Sequence, residues 1–372
     1  MKILFATTTL ARFSGDPLGG IGNCFFDLYQ ELSNQVQVDV VTPLMPNSSK
    51  YEKFGNLTIY RESPVKSYGS FESMIKTLQV VKIPILLINM YRRLLKLSNQ
   101  NNYDVIHGFF IVPAGLLVSL LPTKAKKIIS ALGSDVHTLS YKPLMPPIYQ
   151  FIFRKTDGVI YNTTSMKNRL DQLQARNLEY IPTPLDRDVF KLQPTLTKKP
   201  HFVFLGRLTK AKGVWILLQS FKQVLKVLPQ ARLTIIGDGP EKNAMAKFVS
   251  DNKLNQAIFL ADTLNSKEIA KALKKSYGLL LPSFREGTPA SVLEAMSVGR
   301  PIVATNVGGL TKLVGKEVGR LTDIGSADQF ADGIIKIYQT KYSPIKISEK
   351  TMQFDTKIIA QQYFNYYQSL LK

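Results

Sequence analysis

The chain has 372 residues, 45 % of them hydrophobic, which excludes a disordered chain and leaves room for two domains. Its one cysteine, Cys24, excludes an internal disulfide and fits a reducing compartment. Lys and Arg number 48 against 27 Asp and Glu, a net charge of +21, so an anionic partner is expected: nucleic acid, an anionic lipid surface or a phosphorylated substrate.

The N-terminal MKILFATTTL has too short an apolar segment for a secretory signal and reads as a first buried strand. The stretch ATTTLARFSGDPLGGIGN then leads into a helix, GNCFFDLYQELSNQ. Gly19, Gly20 and Gly22 allow close backbone approach to a bound group, although their spacing is not the dinucleotide pattern GxGxxG. VQVDVVT is the next strand. Residues 43–73, with PLMPNSSK and RESPVKSYGSFES, read as loop. Residues 74–97 are apolar and basic, and two readings stay open: an interfacial helix, or a core helix with a basic rim kinked at Pro84.

YDVIHGFF, KKIISAL and DGVIYNT are further strands. No charged residue lies between Asp104 and Lys124, a length close to a membrane span, but Gly108, Pro113, Gly115 and Pro122 divide it into a strand and a buried helix. His107 ends its strand, where it either faces a cleft or is a satisfied core histidine. His137, in GSDVH, is a weaker candidate. With three histidines and no Cys–His cluster, no metal site is expected, and the triplet Asp186-Arg187-Asp188 is too common a pattern to supply one. KLQPTLTKKP, residues 191–200, reads as a linker.

The second half repeats the rhythm: HFVFLG, ARLTIIG, QAIFLA, GLLLPS and PIVAT as strands, with helices such as GVWILLQSFKQVLKVLP between them and a helical tail, FDTKIIAQQYFNYYQSLLK. Short apolar runs alternating with helices predict an α/β fold with doubly wound parallel sheets. Charge divides unevenly. Residues 1–190 carry 21 basic and 14 acidic side chains, and residues 191–372 carry 27 and 13; within the first half, residues 64–142 hold 10 and 3.

In such sheets ligands bind beyond the carboxyl ends of the strands. After HFVFL comes GRLTKAKG, where Arg207, Lys210 and Lys212 make a positive loop suited to a diphosphate. After ARLTII comes GDGP, a tight turn assigned to architecture. After YGLLLPS comes SFREGTPASVLEAMSVGRP, residues 283–301. Pro289 suits the first position of a helix, and the amides around Gly287, Thr288 and Ala290 would point out of its start, where the dipole favours anions. Glu286 sits outside that end and Glu294 within the helix; each carboxylate can accept hydrogen bonds from sugar hydroxyls.

GRLTKAKG, GDGP, PSFREGTPASVLEAMSVGRPIVATNVGG and the early GGIG loop together resemble the family-4 retaining glycosyltransferases of the GT-B fold. The resemblance covers nearly the whole chain and is most specific over residues 202–310. It implies two Rossmann-like domains facing a central cleft: residues 1–190 binding the acceptor, residues 191–352 binding a nucleotide-diphosphate sugar, and a helix at 353–372 crossing back to the first. It implies that Arg207 and Lys212 neutralise the diphosphate, Glu286 holds the hexose and Glu294 the ribose. Gly19 and Gly20 would lie near the phosphates, His107 near the transferred sugar, and Gly287, Thr288 and Ala290 along the donor.

The implied reaction is hexosyl transfer with retention and without a metal cofactor. The basic segment 64–142 in the acceptor half favours a lipid-linked or membrane-surface acceptor in cell-envelope polysaccharide or glycolipid assembly, with a cytoplasmic enzyme peripheral on the inner face of the membrane, while the larger charge excess in the other half leaves the acceptor unsettled by charge alone. No nucleic-acid motif accompanies the charge. The sequence departs from the family pattern at Phe109, Leu132-Gly133, PTPLD (182–186) and Thr288-Pro289. A nucleotide-sugar 2-epimerase and a non-catalytic basic membrane or nucleic-acid binding module are the alternative readings.

Overall fold

A computed structural model describes residues 1–17, 19–63 and 83–372. The chain forms two compact units, Met1–Pro184 with Thr356–Lys372, and Leu185–Asp355. Leu185 and Phe190 are buried in the core of the second unit, so the first unit ends before the expected boundary at residue 190. The expected linker at 191–200 is also fastened to the second unit. Gln193 donates its amide to Val298, and the buried Arg300 guanidinium donates to the carbonyls of Gln193 and Thr195.

The first unit is built from β1 (Lys2–Thr7), α1 (Gly22–Ser33), β2 (Gln37–Pro43), β3 (Tyr51–Phe54), β4 (Leu57–Glu62), α2 (Ile83–Gln100), β5 (Val105–Phe109), β6 (Lys126–Ala131), α3 (Met145–Arg154), β7 (Gly158–Tyr161) and β8 (Leu178–Tyr180). The described strands form one sheet in the order β3-β4-β2-β1-β5-β6-β7-β8, parallel except for the β3–β4 hairpin. The order reverses beside β1, which is why the loop after β1 opens at a switch point. β1 and β5 pair with Phe5 opposite His107. Their side chains are buried on both faces, as a parallel sheet covered by helices requires.

The hairpin at 51–62 corrects the reading of 43–73 as loop. In LTIYRE, Leu57, Ile59 and Arg61 are buried on one face, and Arg61 reaches Glu52 on the partner strand. Pro84 is the second of the described residues of α2, which runs on without a break to Gln100. Residues 64–82, which carry part of the basic segment 64–142, part of the 43–73 loop and the start of the 74–97 candidate helix, lie outside the described residues. The uncharged stretch between Asp104 and Lys124 divides into β5 and a short helical segment over Ile111–Ser119. No helix of the described residues is long and apolar enough to cross a membrane.

The second unit contains β9 (His201–Leu205), α4 (Val214–Val227), β10 (Arg232–Ile236), α5 (Lys242–Asp251), β11 (Ile258–Ala261), α6 (Ser266–Lys275), β12 (Gly278–Leu281), α7 (Ala290–Ser297), β13 (Ile302–Thr305), β14 (Gly319–Thr322) and α8 (Ala327–Gln339). Its sheet is parallel, in the order β11-β10-β9-β12-β13-β14, with the switch between β9 and β12. The loops after these two strands carry the basic and acidic motifs.

The last helix, α9 (Thr356–Leu371), belongs to the first unit and packs on α1. Ile359, Ala360, Tyr363 and Tyr367 are buried there. Tyr366 donates its hydroxyl to the Asn177 carbonyl at 2.5 Å, and it lies so close to Gly158 that a Cβ there would sit 2.0 Å from its oxygen.

Candidate active site

In the second unit the loops after β9 and β12 are joined directly. The Phe284 amide donates to the Ala211 carbonyl at 2.9 Å. Gly213, at φ +70°, begins α4 where a Cβ would lie 1.8 Å from the Pro282 carbonyl oxygen, so only glycine fits. This backbone contact brings Lys212 to Glu286. Its Nζ lies 2.5 Å from Glu286 Oε1, the same oxygen that accepts from Ser283 Oγ at 2.6 Å. The Glu286 side chain is 7 % exposed, so the ion pair is shielded from most solvent on its acidic side. The ammonium keeps two further protons to offer. Arg207 is exposed on the same loop, which turns at Gly206.

The GDGP turn packs beneath. A Cβ at Gly237 would meet the Gly206 carbonyl at 2.0 Å, and the Leu208 amide donates to the Asp238 carbonyl.

α7 starts at Ala290, one residue later than expected. Pro289 is its extended N-cap, at φ −72° and ψ 125°. The first amides of such a helix have no partner within it, and the dipole makes them an anion site. The chain after β13 runs across this entry. The Gly309 amide donates to the Gly287 carbonyl at 3.0 Å, and Gly308, at φ +51°, leaves no room for a Cβ beside the Glu286 carbonyl. Thr305 donates its hydroxyl to the Ser283 carbonyl, tying the end of β13 to the same loop. Glu294, within α7, is half-buried; desolvation pushes its carboxyl up to about 7. A carboxyl raised in this way, on the helix whose start favours an anion, is a strong candidate for contact with a ligand.

The family described as glycosyl transferases group 1 matches residues 186–354, and glycosyltransferase family 4 matches residues 18–189. The chain belongs to the family-4 glycosyltransferases. It is similar to the N-acetyl-alpha-D-glucosaminyl L-malate synthase of Bacillus anthracis, at 23 % identity over 81 % of this chain and 84 % of that one. It is similar to the UDP-Gal:alpha-D-GlcNAc-diphosphoundecaprenol alpha-1,3-galactosyltransferase of Escherichia coli, at 23 % identity over 77 % of this chain and 78 % of that one. Among solved structures, the sucrose-phosphate synthase of Thermosynechococcus elongatus superposes with a TM-score of 0.81 at 20 % identity, covering 100 % of this chain and 99 % of that one. The fold is GT-B, with two Rossmann-like domains.

This glycosyltransferase thus collects Lys212, Glu286, Gly287, Thr288, Ala290 and Glu294 on the loop-and-helix after β12 and the loop packed against it, with Arg207 at the carboxyl end of the neighbouring strand. Gly19, Gly20 and His107 lie in the other unit. Gly20, at φ +50°, has no atom of the other described residues within 4 Å of a Cβ position, whereas a Cβ at Gly19 would strike Asn23 Oδ1 at 2.6 Å. The loop that carries them is held by the bidentate Arg12–Asp16 pair and by Arg61, which donates to the Ala11 carbonyl.

His107 is a correction. It does not face open space: it is fully buried between Phe5 and Phe109 on the sheet and Tyr363 and Tyr367 on α9. Its Nδ1 lies 2.7 Å from Tyr367 Oη and its Nε2 2.9 Å from Ser130 Oγ, so both ring nitrogens are satisfied. Burial lowers its pKa to about 3, keeping the ring neutral. Of the two readings left open by the sequence, the satisfied core histidine is the one observed. His137 is half-buried beside Ser165. Asp186 spends one carboxylate oxygen on the amides of Asp188 and Val189, forming a turn.

Sequence reasoning missed Ser283, Gly308 and Asp135. Ser283 precedes Glu286 by one turn-length, and the Gly308-Gly309 pair after a buried strand was a visible signal of close backbone approach. Asp135 is a buried carboxylate pushed up to about 6 by desolvation; it accepts from the amides of Ile111, Leu132 and Val136 and so fixes the loop after β6.

Proposed function

We propose that the chain transfers a hexose-type sugar, with retention and without a metal cofactor, from a nucleotide-diphosphate sugar to an acceptor in cell-envelope polysaccharide or glycolipid assembly. The observation that carries this reading is the Lys212–Glu286 pair held at the mouth of α7. In it, Arg207, Lys212 and the helix start stabilise the charge that builds on the leaving diphosphate. Glu286 accepts hydroxyls of the hexose and Glu294 those of the ribose. The Escherichia coli relative, whose name gives a UDP-sugar donor and a lipid diphosphate acceptor, supports both halves of the reading.

A thermal-shift panel of nucleoside diphosphates and their sugars tests the donor. A ligand at 100 times its dissociation constant adds about 2.7 kcal/mol of stability. Stabilisation by one nucleotide series, abolished in Glu294→Ala, is the expected result; no stabilisation by any member overturns the donor assignment.

A membrane-surface acceptor is supported by the exposed residues around α3. Leu144 is 79 % exposed and Tyr141 64 %, with Phe151 also exposed and Lys142, Arg154 and Lys155 beside them. Apolar side chains rimmed by cations are the composition of an interfacial surface. Flotation with vesicles containing anionic lipid should show binding that falls with salt and is lost in the double variant Leu144→Ser and Phe151→Ser.

A further inference from the structure

The larger share of the excess charge lies in the second half of the chain, and the donor loops do not absorb it. One part of it lies on α6, which carries four lysines against one glutamate. Lys267, Lys271, Lys274 and Lys275 line a shallow groove of about 440 Å³ together with Asp188, Val189 and Ala270. At about 100° per residue, the four lysines fall within roughly 100° of arc on one face of the helix. Lys267, Lys271 and Lys275 are exposed and Lys274 is half-buried.

This placement opposes helix stability. Lys271 stands four residues from both Lys267 and Lys275 and three from Lys274, spacings at which like charges repel. Lys267 also lies in the first turn, at the positive end of the dipole. The dipole favours Lys274 and Lys275 in the last turn but explains neither of the other two. The helix has one acidic residue, Glu268, and it is committed to the capping box with Asn265. Other helices of the chain do the opposite. Lys167 pairs with Asp171, Lys247 with Asp251 and Lys336 with Asp332, each at a spacing of four. No such ion pair involves the four groove lysines among the described residues.

We propose that this groove binds an extended acidic glycan carrying a carboxylate or phosphate on its repeats. Lys267, Lys271 and Lys275 climb about 6 Å per step along the helix, with Lys274 about 1.5 Å before the last, a spread that matches a chain charged at each repeat and not a single compact anion. The groove offers no aromatic platform for nucleobases, which argues against a nucleic acid. Its apolar lining is Val189 and Ala270, too small to enter a lipid interface. The site is separate from the donor site. α6 leads into the amino end of β12, whereas Glu286 follows the carboxyl end of that strand. The inference holds whether the bound glycan is the acceptor, the product or neither.

Fluorescence anisotropy with a labelled oligogalacturonate tests it on the full chain. The expected result is saturable binding that weakens at least ten-fold in Lys271→Glu with Lys274→Glu, and in the charge-neutral Lys267→Gln with Lys271→Gln. Neutral dextran should not compete. The control Lys226→Glu with Lys346→Glu, on other exposed helix positions, should bind as the parent does, and all variants should remain folded at the assay temperature. Absent binding, or equal losses in the control, overturns the proposal. Tighter capture of single-stranded DNA or of anionic vesicles through the same four lysines also overturns it, in favour of those partners.

Discussion

Lys212 Nζ and Glu286 Oε1 lie 2.5 Å apart, although 74 residues separate them in the chain. The pair joins the basic loop after β9 to the acidic loop after β12, so the cation and the carboxylate are positioned before any ligand arrives. Preorganised charge of this kind contributes most when it is aimed at charge developing in the reaction. Replacing Lys212 or Arg207 by Ala should therefore lower transfer by ~10²-fold or more, by analogy with removal of one charge-stabilising donor. Steady-state kinetics with the donor found in the thermal-shift panel decides this. Near-normal turnover in both variants would remove the diphosphate assignment.

The glycines around that pair are steric requirements. At Gly213 a Cβ would sit 1.8 Å from the Pro282 carbonyl oxygen, and at Gly308 1.9 Å from that of Glu286. Both also occupy left-handed φ, which costs a non-glycine residue about 1–2 kcal/mol before any clash. Gly213→Ala and Gly308→Ala should each lower the denaturation midpoint by more than that backbone term alone. Gly20→Ala, at φ +50° with no atom of the other described residues near its Cβ position, should cost the backbone term only. Equal losses at all three positions would mean that the close approaches relax freely.

The fold was legible because buried parallel strands are written as short apolar runs. KILFAT, HFVFL and GLLL needed no tertiary information. The motifs around Glu286 were legible for a related reason, since a glycine or proline beside a charged residue at a strand end has few structural explanations. What stayed hidden depends on contacts far along the chain. YDVIH gives no sign that α9 will cover His107 with two tyrosines, because the covering residues lie 256 and 260 positions later. Arg300 is similar. It reads as a surface cation after a glycine, yet it is fully buried and donates to the carbonyls of Ser276, Gln193, Thr195 and Val298.

The buried histidine gives the tail helix a measurable anchor. Tyr367→Phe leaves one His107 nitrogen without its partner, and such a loss costs about 1–3 kcal/mol. The pH dependence has a definite sign. The folded pKa of His107 lies near 3, below its ordinary value, so the unfolded chain binds the proton more tightly. Its contribution is fully present above the ordinary histidine pKa and is lost as pH falls towards 3. His107→Gln should lower stability at neutral pH while flattening the acid limb between about pH 6.5 and 3. An unchanged acid limb would contradict the neutral buried ring.

Glu294 has the opposite linkage. Desolvation raises its carboxyl to about 7, above the ordinary carboxylate range, so the folded state holds the proton more tightly than the unfolded chain. Its share of stability is present below the ordinary value and is lost as pH rises towards about 7. A ligand hydroxyl donates best to the ionised carboxylate, so nucleotide affinity should strengthen across the same interval in which this stability declines. Glu294→Gln removes the titrating group while keeping its size. Isothermal titration of a nucleoside diphosphate between pH 6 and 8 should then show a steeper rise in affinity for the parent than for Glu294→Gln. The phosphate's own titration is common to both and cancels in the comparison. Parallel profiles would place the ribose contact elsewhere than Glu294.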